Sequence, residues 1–170
     1  ALYPKFTIAY LILGFLSFFV ISFLGSTLIQ RELTEQTGNA LYREAVNIAS
    51  YQADHYYTQQ ANLEDTYYNL CTLAEYQNAQ IWMLDPDGNI LLSTAEELDQ
   101  EHSKKLEDFD PAALSGGYYT IGTFYQYFTE EHISVLAPVT LNMSTKGYIA
   151  VHMPLHEILS NRDEILKGVY

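Results

Sequence analysis

The N-terminal part of the chain contains one continuous apolar segment, Phe6 to Ile29, without a single charged side chain. As a helix with about 1.5 Å of rise per residue, it would extend roughly 36 Å, more than the roughly 30 Å of a bilayer's hydrocarbon core. We therefore expect an uncleaved transmembrane helix. The alternative is a cleaved secretory signal, whose apolar core is usually shorter, about 7–15 residues.

After this segment the hydrophobic positions recur at three- and four-residue steps, which is typical of helices that cover a core. The first such stretch, residues 30–60, carries Leu33, Leu41 and Ile48 and is expected to continue the membrane helix outward. A second helix is predicted over residues 63–77. Gly38 weakens the first helix by about 1 kcal/mol relative to alanine.

The period then shortens to that of strands. Residues 79–84 and 90–93 are short apolar runs separated by Asp85-Pro86-Asp87-Gly88-Asn89, a composition that predicts a hairpin turn. Further strands are expected at 118–124, 132–141 and 147–153, the last two joined by a loop at 142–146.

The remaining segments are a polar stretch and a terminal helix. Residues 95–117 are polar and broken, with a short helix expected near 101–109; long irregular segments in compact domains are often functional. From Leu155 the helical period returns, which predicts an exit helix that leads to a second span beyond Tyr170.

The charge balance excludes some partners. With 8 basic and 21 acidic residues, the formal net charge is −13, so no clustered basic surface for nucleic acid is expected. Lys5 is the only basic residue before the apolar segment, which favours a cytoplasmic N-terminus and an extracytoplasmic acidic domain. The acidic clusters at residues 96–101 and 130–131 are either cation-binding surfaces or ordinary solvated surface.

Signals for catalysis are weak. The five histidines are scattered, and His152 and His156 lie on either side of Pro154 rather than on one helix face, so a zinc site there is not expected. The sequence has no nucleophile–base signature and no phosphate-binding glycine loop. We predict no catalytic residue, no metal and no cofactor, and one cysteine allows no intramolecular disulfide.

The element order and three segments carry a family resemblance. Residues 41–49 (LYREAVNIA), 79–88 (AQIWMLDPDG) and 151–154 (VHMP) resemble the extracytoplasmic single Cache (PAS-like) sensor domain of bacterial transmembrane receptors, especially histidine kinases. The resemblance implies an α+β fold. In that fold a transmembrane helix continues into a long helix packed on a five-stranded antiparallel PAS-like sheet, followed by a C-terminal exit helix.

The resemblance also implies a domain plan and a function. Residues 1–29 would be a cytoplasmic stub and transmembrane helix, 30–154 the sensor domain, and 155–170 the exit helix. The chain would be the sensing part of a two-component histidine kinase in the bacterial cell membrane, coupling a small molecule to helix shifts in a homodimer. Leu33, Leu41 and Ile48, near heptad spacing, would form the dimer contact.

In similar sensors the ligand lies between the sheet and its variable cover. The residues expected to bind it are Trp82, Leu84, Ser93, Thr94, Tyr119, Ile121, Tyr125 and Tyr127. Aromatic walls with a few hydroxyls suit small organic molecules. Three alternatives stay open: a sensor without a pocket that responds to cations, membrane state or a protein; a chemoreceptor or cyclase sensor; and an adaptor without signalling.

Overall fold

The chain forms two compact units, Ala1–Glu35 and Gln36–Tyr170. The computed structural model describes residues 3–98, 104–114 and 119–158. Residues 3–35 of helix α1 (Tyr3–Ile48) make up the described part of the first unit. Among the described residues, one continuous helical stretch, Tyr3–Tyr57, is long and apolar enough to cross a membrane, and α1 is part of it.

The helices of the second unit follow the predicted pattern closely. After α1 come a π-helical turn (Ala49–Ala53), helix α2 (Asp54–Tyr57) and helix α3 (Leu63–Gln77). Helix α3 begins after Asn62, whose side chain accepts a hydrogen bond from the backbone N–H of Asp65 at 2.7 Å, and ends at Asn78 in the left-handed conformation. The predicted bounds of α3 are confirmed.

The predicted five-stranded antiparallel sheet is confirmed. Its strands are β1 (Gln80–Leu84), β2 (Ile90–Ser93), β3 (Thr120–Gly122), β4 (His132–Leu141) and β5 (Ser144–Pro154), in the spatial order β2-β1-β5-β4-β3. A 3₁₀ helix spans Pro111–Leu114. Residues 155–158 are helical, and the rest of the predicted exit helix lies outside the described residues.

Three local predictions are wrong. The loop expected at 142–146 is a two-residue turn, Asn142-Met143, because both residues adopt positive φ and β5 begins at Ser144. Strand β3 (Thr120–Gly122) ends two residues before the expected bound at 124, and residue 118 of the expected strand lies outside the described residues. The helix expected at 101–109 is absent from its described part, residues 104–109, where Lys105 instead forms a β-bridge with Asn89.

One face of the sheet is covered by helices. Leu41, Ala45 and Ile48 of α1 belong to a buried cluster with Leu70 of α3 and with sheet residues such as Ile149. Leu41 and Ile48 are only 5% and 2% exposed. The predicted dimer contact through these two residues is therefore wrong, because their stripe packs on the chain's own sheet.

Gly38 has a packing role on this helical face. It is buried, and the ring of Tyr119 lies so close that a Cβ at position 38 would overlap it. The close approach of ring and backbone, rather than helix propensity, accounts for glycine at this position.

Candidate functional site

The opposite face of the sheet is covered by the segments between strands, and we call it the loop-covered face. Its buried residues are Trp82, Leu84, Ile90, Leu106, Phe124 and Ala150. Half-buried aromatic residues surround them, among them Phe109, Tyr125, Tyr127, Phe128 and Tyr148. Connecting segments rather than secondary structure therefore close this side of the core.

Trp82 of β1 lies at the centre of what we call the aromatic cluster: Trp82, Phe124, Tyr127, Phe128, His132 and His152. Its ring centroid is 4.5 Å from that of Tyr127 and 4.2 Å from that of His152. Phe128 stacks on His132 at 3.8 Å with only 16° between the ring planes. Most of the other ring pairs meet at steep angles, an arrangement that aromatic quadrupoles favour.

A row of four polar side chains crosses the same face. The strand register pairs Thr120 with Ser134, Ser134 with His152, and His152 with Gln80. His152 is fully buried, and its Nδ1 lies 2.7 Å from the hydroxyl oxygen of Ser134. Neighbouring strands thus place polar groups beneath the aromatic cover.

The imidazole of His152 is electrostatically neutral at neutral pH. Burial, and secondarily the nearby His132, hold the pKa of His152 well below its ordinary value of 6.5. In a neutral imidazole one ring nitrogen is a donor and the other an acceptor. Because Ser134 occupies Nδ1, His152 has one hydrogen-bonding nitrogen, Nε2, left for another group.

Two buried polar atoms of the loop-covered face lack a partner among the described residues: Nε1 of Trp82 and Nε2 of His152. A buried polar group without a hydrogen bond costs about 1–3 kcal/mol, so such groups are uncommon and call for an explanation. Tyr57 Oη is a third such atom, but Tyr57 packs against the helix-face cluster. Burial raises the pKa of Tyr57 to about 12.

The cover over Trp82 is a strained turn, residues 123–128, which we call the cover segment. Phe124, Tyr125 and Gln126 have positive φ values of 43°, 51° and 62°. Left-handed geometry costs a non-glycine residue about 1–2 kcal/mol, and such strain often accompanies functional sites. Two backbone hydrogen bonds close the turn, from Tyr127 N–H to Phe124 and from Phe128 N–H to Thr123.

A cavity of about 40 Å³ opens beside the cover segment, between Tyr127, Ser93, Glu96 and Lys104. The carboxylate of Glu96 accepts hydrogen bonds from Lys104 at 2.6 Å and from the Tyr127 hydroxyl at 2.9 Å. Both hydrogen bonds lower the pKa of Glu96, and the bond from Lys104 has the larger effect. Glu96 and Lys104 therefore neutralise each other, and Glu97 is a second carboxylate that lines the cavity.

Five of the eight predicted ligand-binding residues lie together. Trp82 and Leu84 are buried in the loop-covered face, Ser93 lines the cavity, and Tyr125 and Tyr127 belong to the cover segment. The Tyr125 hydroxyl donates to the carbonyl of Asp110 at 2.9 Å.

The other three lie apart from this group. Thr94 accepts a hydrogen bond from the backbone of Ile81, Tyr119 packs on the helical face, and Ile121 is 45% exposed. Thr120 of β3 pairs with Ser134 of the polar row and therefore shares the loop-covered face. Because side chains alternate along a strand, Tyr119 and Ile121 point to the other face.

Sequence reasoning missed the histidine side of the site. His152, Ser134 and His132 were not among the predicted residues, although each alternates with apolar neighbours along its strand. Such alternation was the available signal that they share a face. Which face of the sheet they share depends on the pairing register of the strands, and the alternation of polar and apolar residues does not determine that register.

The histidines do not form a metal centre in the part of the chain that the structure describes. No group of three or more His, Cys, Asp or Glu residues there is arranged to hold an ion. His156 is exposed, and its Nδ1 lies 3.6 Å from a carboxylate oxygen of Glu130, whereas His152 is buried beneath aromatic rings.

Comparison with known proteins establishes the fold. No protein-family model matches the sequence, and no curated protein matches it. A domain assigned to the sensory box/GGDEF family from Vibrio parahaemolyticus is 13% identical with a TM-score of 0.54, over 76% of this chain and 59% of that one. The extracellular domain of a protein described as a histidine kinase is 13% identical with a TM-score of 0.50, over 79% and 58%.

A third structure is more distant. The ligand-binding domain of the Campylobacter jejuni chemoreceptor Tlp3 in complex with L-valine is 10% identical, with a TM-score of 0.38 over 76% of this chain and 64% of that one. That similarity is too low to carry an argument. The chain thus has the fold of extracytoplasmic sensory domains, which confirms the predicted Cache-type resemblance at the level of the fold, and it spans less than two thirds of these neighbours.

Proposed function

We propose that the chain is the signal-sensing part of a membrane-anchored receptor, and that a small molecule binds between the loop-covered face and the cover segment. The observation that carries this proposal is the pair of buried, unpartnered polar atoms, Trp82 Nε1 and His152 Nε2, within an aromatic cluster. A sensory-domain fold supports it. A ligand with complementary polar atoms would remove both hydrogen-bonding deficits.

The proposed ligand-binding set changes with the geometry. Trp82, Leu84, Ser93, Tyr125 and Tyr127 are kept, because they surround one region of the loop-covered face. His152 is added because its ring centroid lies 4.2 Å from that of Trp82 and its Nε2 has no partner among the described residues. Thr94, Tyr119 and Ile121 are no longer proposed as ligand contacts.

The membrane arrangement is part of the proposal. Residues 1–29 would comprise a cytoplasmic stub and membrane helix, 30–154 an extracytoplasmic sensor domain, and 155–170 an exit helix. The apolar part of α1, of which no residue is buried in the structure, supports the anchor. Lys5 and the acidic remainder of the chain support the orientation.

The proposed output is a histidine kinase, with a chemoreceptor or cyclase as the alternative. A ligand changes output only by binding one conformational state more tightly than another, with a typical coupling of about 1–3 kcal/mol. We propose that this difference acts through membrane-proximal helices in a homodimer. The two neighbours with the higher TM-scores are described as a GGDEF-family protein and a histidine kinase, so the fold serves different outputs.

A second candidate function is a sensor that responds to a cation, membrane state or a protein without binding a small molecule. It is favoured by the closed state of the site: Trp82 is fully buried, and the adjoining cavity measures only about 40 Å³. Some of the acidic residues that this alternative invokes, Asp99 and Glu101, lie outside the described residues.

Thermal melting of the full chain in detergent micelles tests the proposal. Amino acids, organic acids, amines, nucleobases and divalent cations would be compared by circular dichroism, because a ligand of the native state raises the melting midpoint by mass action. We expect a dose-dependent rise from one organic class, reduced in Trp82→Phe and retained in Tyr76→Phe, whose side chain is 87% exposed. A rise from divalent cations alone would favour the second function, and no rise would contradict the first.

A further inference from the structure

The interior of the proposed site offers no charge to a ligand. Among the described residues no Asp, Glu, Lys or Arg side chain is buried, and the imidazole of His152, buried within the aromatic cluster, is uncharged. The charged residues that line the adjoining cavity are Glu96, Glu97 and Lys104, and of these Glu96 and Lys104 are bonded to each other. An ionised ligand group would lose its hydration there without gaining a counter-charge.

The shape of the interior favours a flat molecule. Phe124 and Tyr127 meet the ring of Trp82 at 74° and 70°, so the interior already accommodates aromatic rings edge to face. A planar ring would reproduce these contacts with little loss of conformational freedom.

The unpartnered atoms define the polar part of such a molecule. The indole Nε1 of Trp82 is only a donor, so the ligand must supply an acceptor. His152 has Nε2 free and requires a second polar atom, because its Nδ1 already lies 2.7 Å from the Ser134 oxygen. Two polar atoms on one small ring satisfy both requirements.

We propose that the ligand is an uncharged, planar nitrogen heterocycle or its carboxamide, which accepts a hydrogen bond from Trp82 Nε1 and pairs with His152 Nε2. This inference rests on the proposed function and narrows it to one chemical class. An ion of either sign would be costly to bury beside Trp82 and His152, because both side chains are fully buried.

Access requires movement of the cover segment. The adjoining cavity of about 40 Å³ has room for little more than water, whereas a six-membered ring needs several times that volume. Tyr127 lines the cavity and also packs on Trp82, so its displacement would join the cavity to the interior. The left-handed residues 124–126 make this segment the strained part of the cover.

The chain contains one tryptophan, which makes the test specific. With ¹⁵N-labelled tryptophan, the full chain in detergent micelles gives one indole N–H signal, that of Trp82. The probes are nicotinamide and pyrazinamide, with nicotinate as the matched anion. We expect a saturable downfield shift with the neutral probes and binding of nicotinate at least about tenfold weaker, because an uncompensated buried charge is costly.

Variants separate the hydrogen bond from the fold. His152→Phe is expected to weaken nicotinamide binding about tenfold, the effect of one hydrogen bond. His152→Gln, whose amide reaches the position of Nε2, is expected to retain most of the affinity. His156→Phe, at an exposed position, is the control, and the dispersion of the amide spectrum reports whether each variant is folded.

Three results would overturn the inference. The first is that nicotinate binds as tightly as nicotinamide. The second is that folded His152→Phe binds nicotinamide with unchanged affinity. The third is that the indole N–H of Trp82 contacts only a bound water and its signal responds to no neutral probe. If charged compounds shift the indole signal instead, the ligand class is wrong while the proposed function stands. If no small molecule of any class shifts it, the proposed function fails as well.

Discussion

His152 links the chemistry of the site to stability. Its buried imidazole is neutral in the folded protein, because burial lowers its pKa well below 6.5, whereas in the unfolded chain it takes up a proton near that value. The unfolded state therefore binds more protons below pH 6.5. The resulting contribution to stability is fully present above that pH and is lost as the pH falls toward the folded-state pKa.

We predict that the free energy of unfolding falls between about pH 7.5 and about pH 5.5, by no more than about 1.4 kcal/mol per pH unit from this one group. Urea unfolding in micelles, followed by Trp82 fluorescence, measures it. In His152→Asn, which retains a polar group near Ser134, the fall should be smaller. Glu96, whose pKa is lowered from 4.5, contributes only at more acidic pH. An unchanged pH dependence in the variant would show that His152 is not the titrating group.

Gly38 gives a second prediction at the residue scale. An alanine at position 38 would raise the helix propensity by about 1 kcal/mol. Its Cβ, however, would overlap Cγ and Cδ1 of Tyr119, which lie close to the backbone and cannot easily move away. Overpacking of this kind usually costs about 1–3 kcal/mol, so Gly38→Ala should lower the free energy of unfolding in urea. The double variant Gly38→Ala/Tyr119→Ala should show a favourable coupling between the two substitutions, and strict additivity would contradict this explanation.

At the scale of elements, the sequence predicted helices and turns correctly where the residues present have a strong conformational preference. Helix α3 was predicted from its three- and four-residue apolar period, and in the structure Asn62 and Asn78 cap its ends; the turn at 85–89 follows from its Pro, Asp and Gly residues. There the Asp85 carboxylate accepts hydrogen bonds from the backbone of Asp87 and Asn89, at 2.9 and 2.8 Å. The two-residue turn at 142–143 was missed because Met143 adopts a left-handed conformation that usually signals itself by glycine.

The turn at 142–143 provides a prediction in which a substitution raises the stability of the fold. Met143 has φ of 62° and is fully exposed, so its side chain adds strain without evident packing. Met143→Gly should raise the free energy of unfolding by about 1 kcal/mol, because a two-residue hairpin of this kind favours Asn-Gly. Met143→Ala is the control, since alanine keeps the Cβ. Equal stability of the two variants would argue against backbone strain at this position.

At the scale of the whole molecule, the sequence indicated the α+β sheet architecture and an apolar helix of membrane length. The predicted site residues do not all lie together, since Tyr119 and Ile121 lie apart from Trp82, and His152 was not among them. Residue type and periodicity identify residues that share a strand face. They do not fix the cross-strand pairing that brought His152, Ser134 and Trp82 together.

The membrane topology can be tested with the single cysteine. Cys71 is partly exposed on α3, in the domain that we place outside the cytoplasm. A membrane-impermeant maleimide should label it in intact bacteria, and Cys71→Ser should abolish the labelling. The matched variant Lys5→Cys/Cys71→Ser should be labelled only after permeabilisation. The reverse pattern would overturn the proposed orientation.

The most direct test of the central claim locates the bound ligand on the sheet. Hydrogen–deuterium exchange of the full chain would be compared with and without the compound that raises the melting midpoint. We predict slower exchange in the cover segment, residues 123–128, and in residues 148–154, with no change in α3. Protection confined to α3, or no protection in the presence of saturating compound, would contradict a ligand site on the loop-covered face.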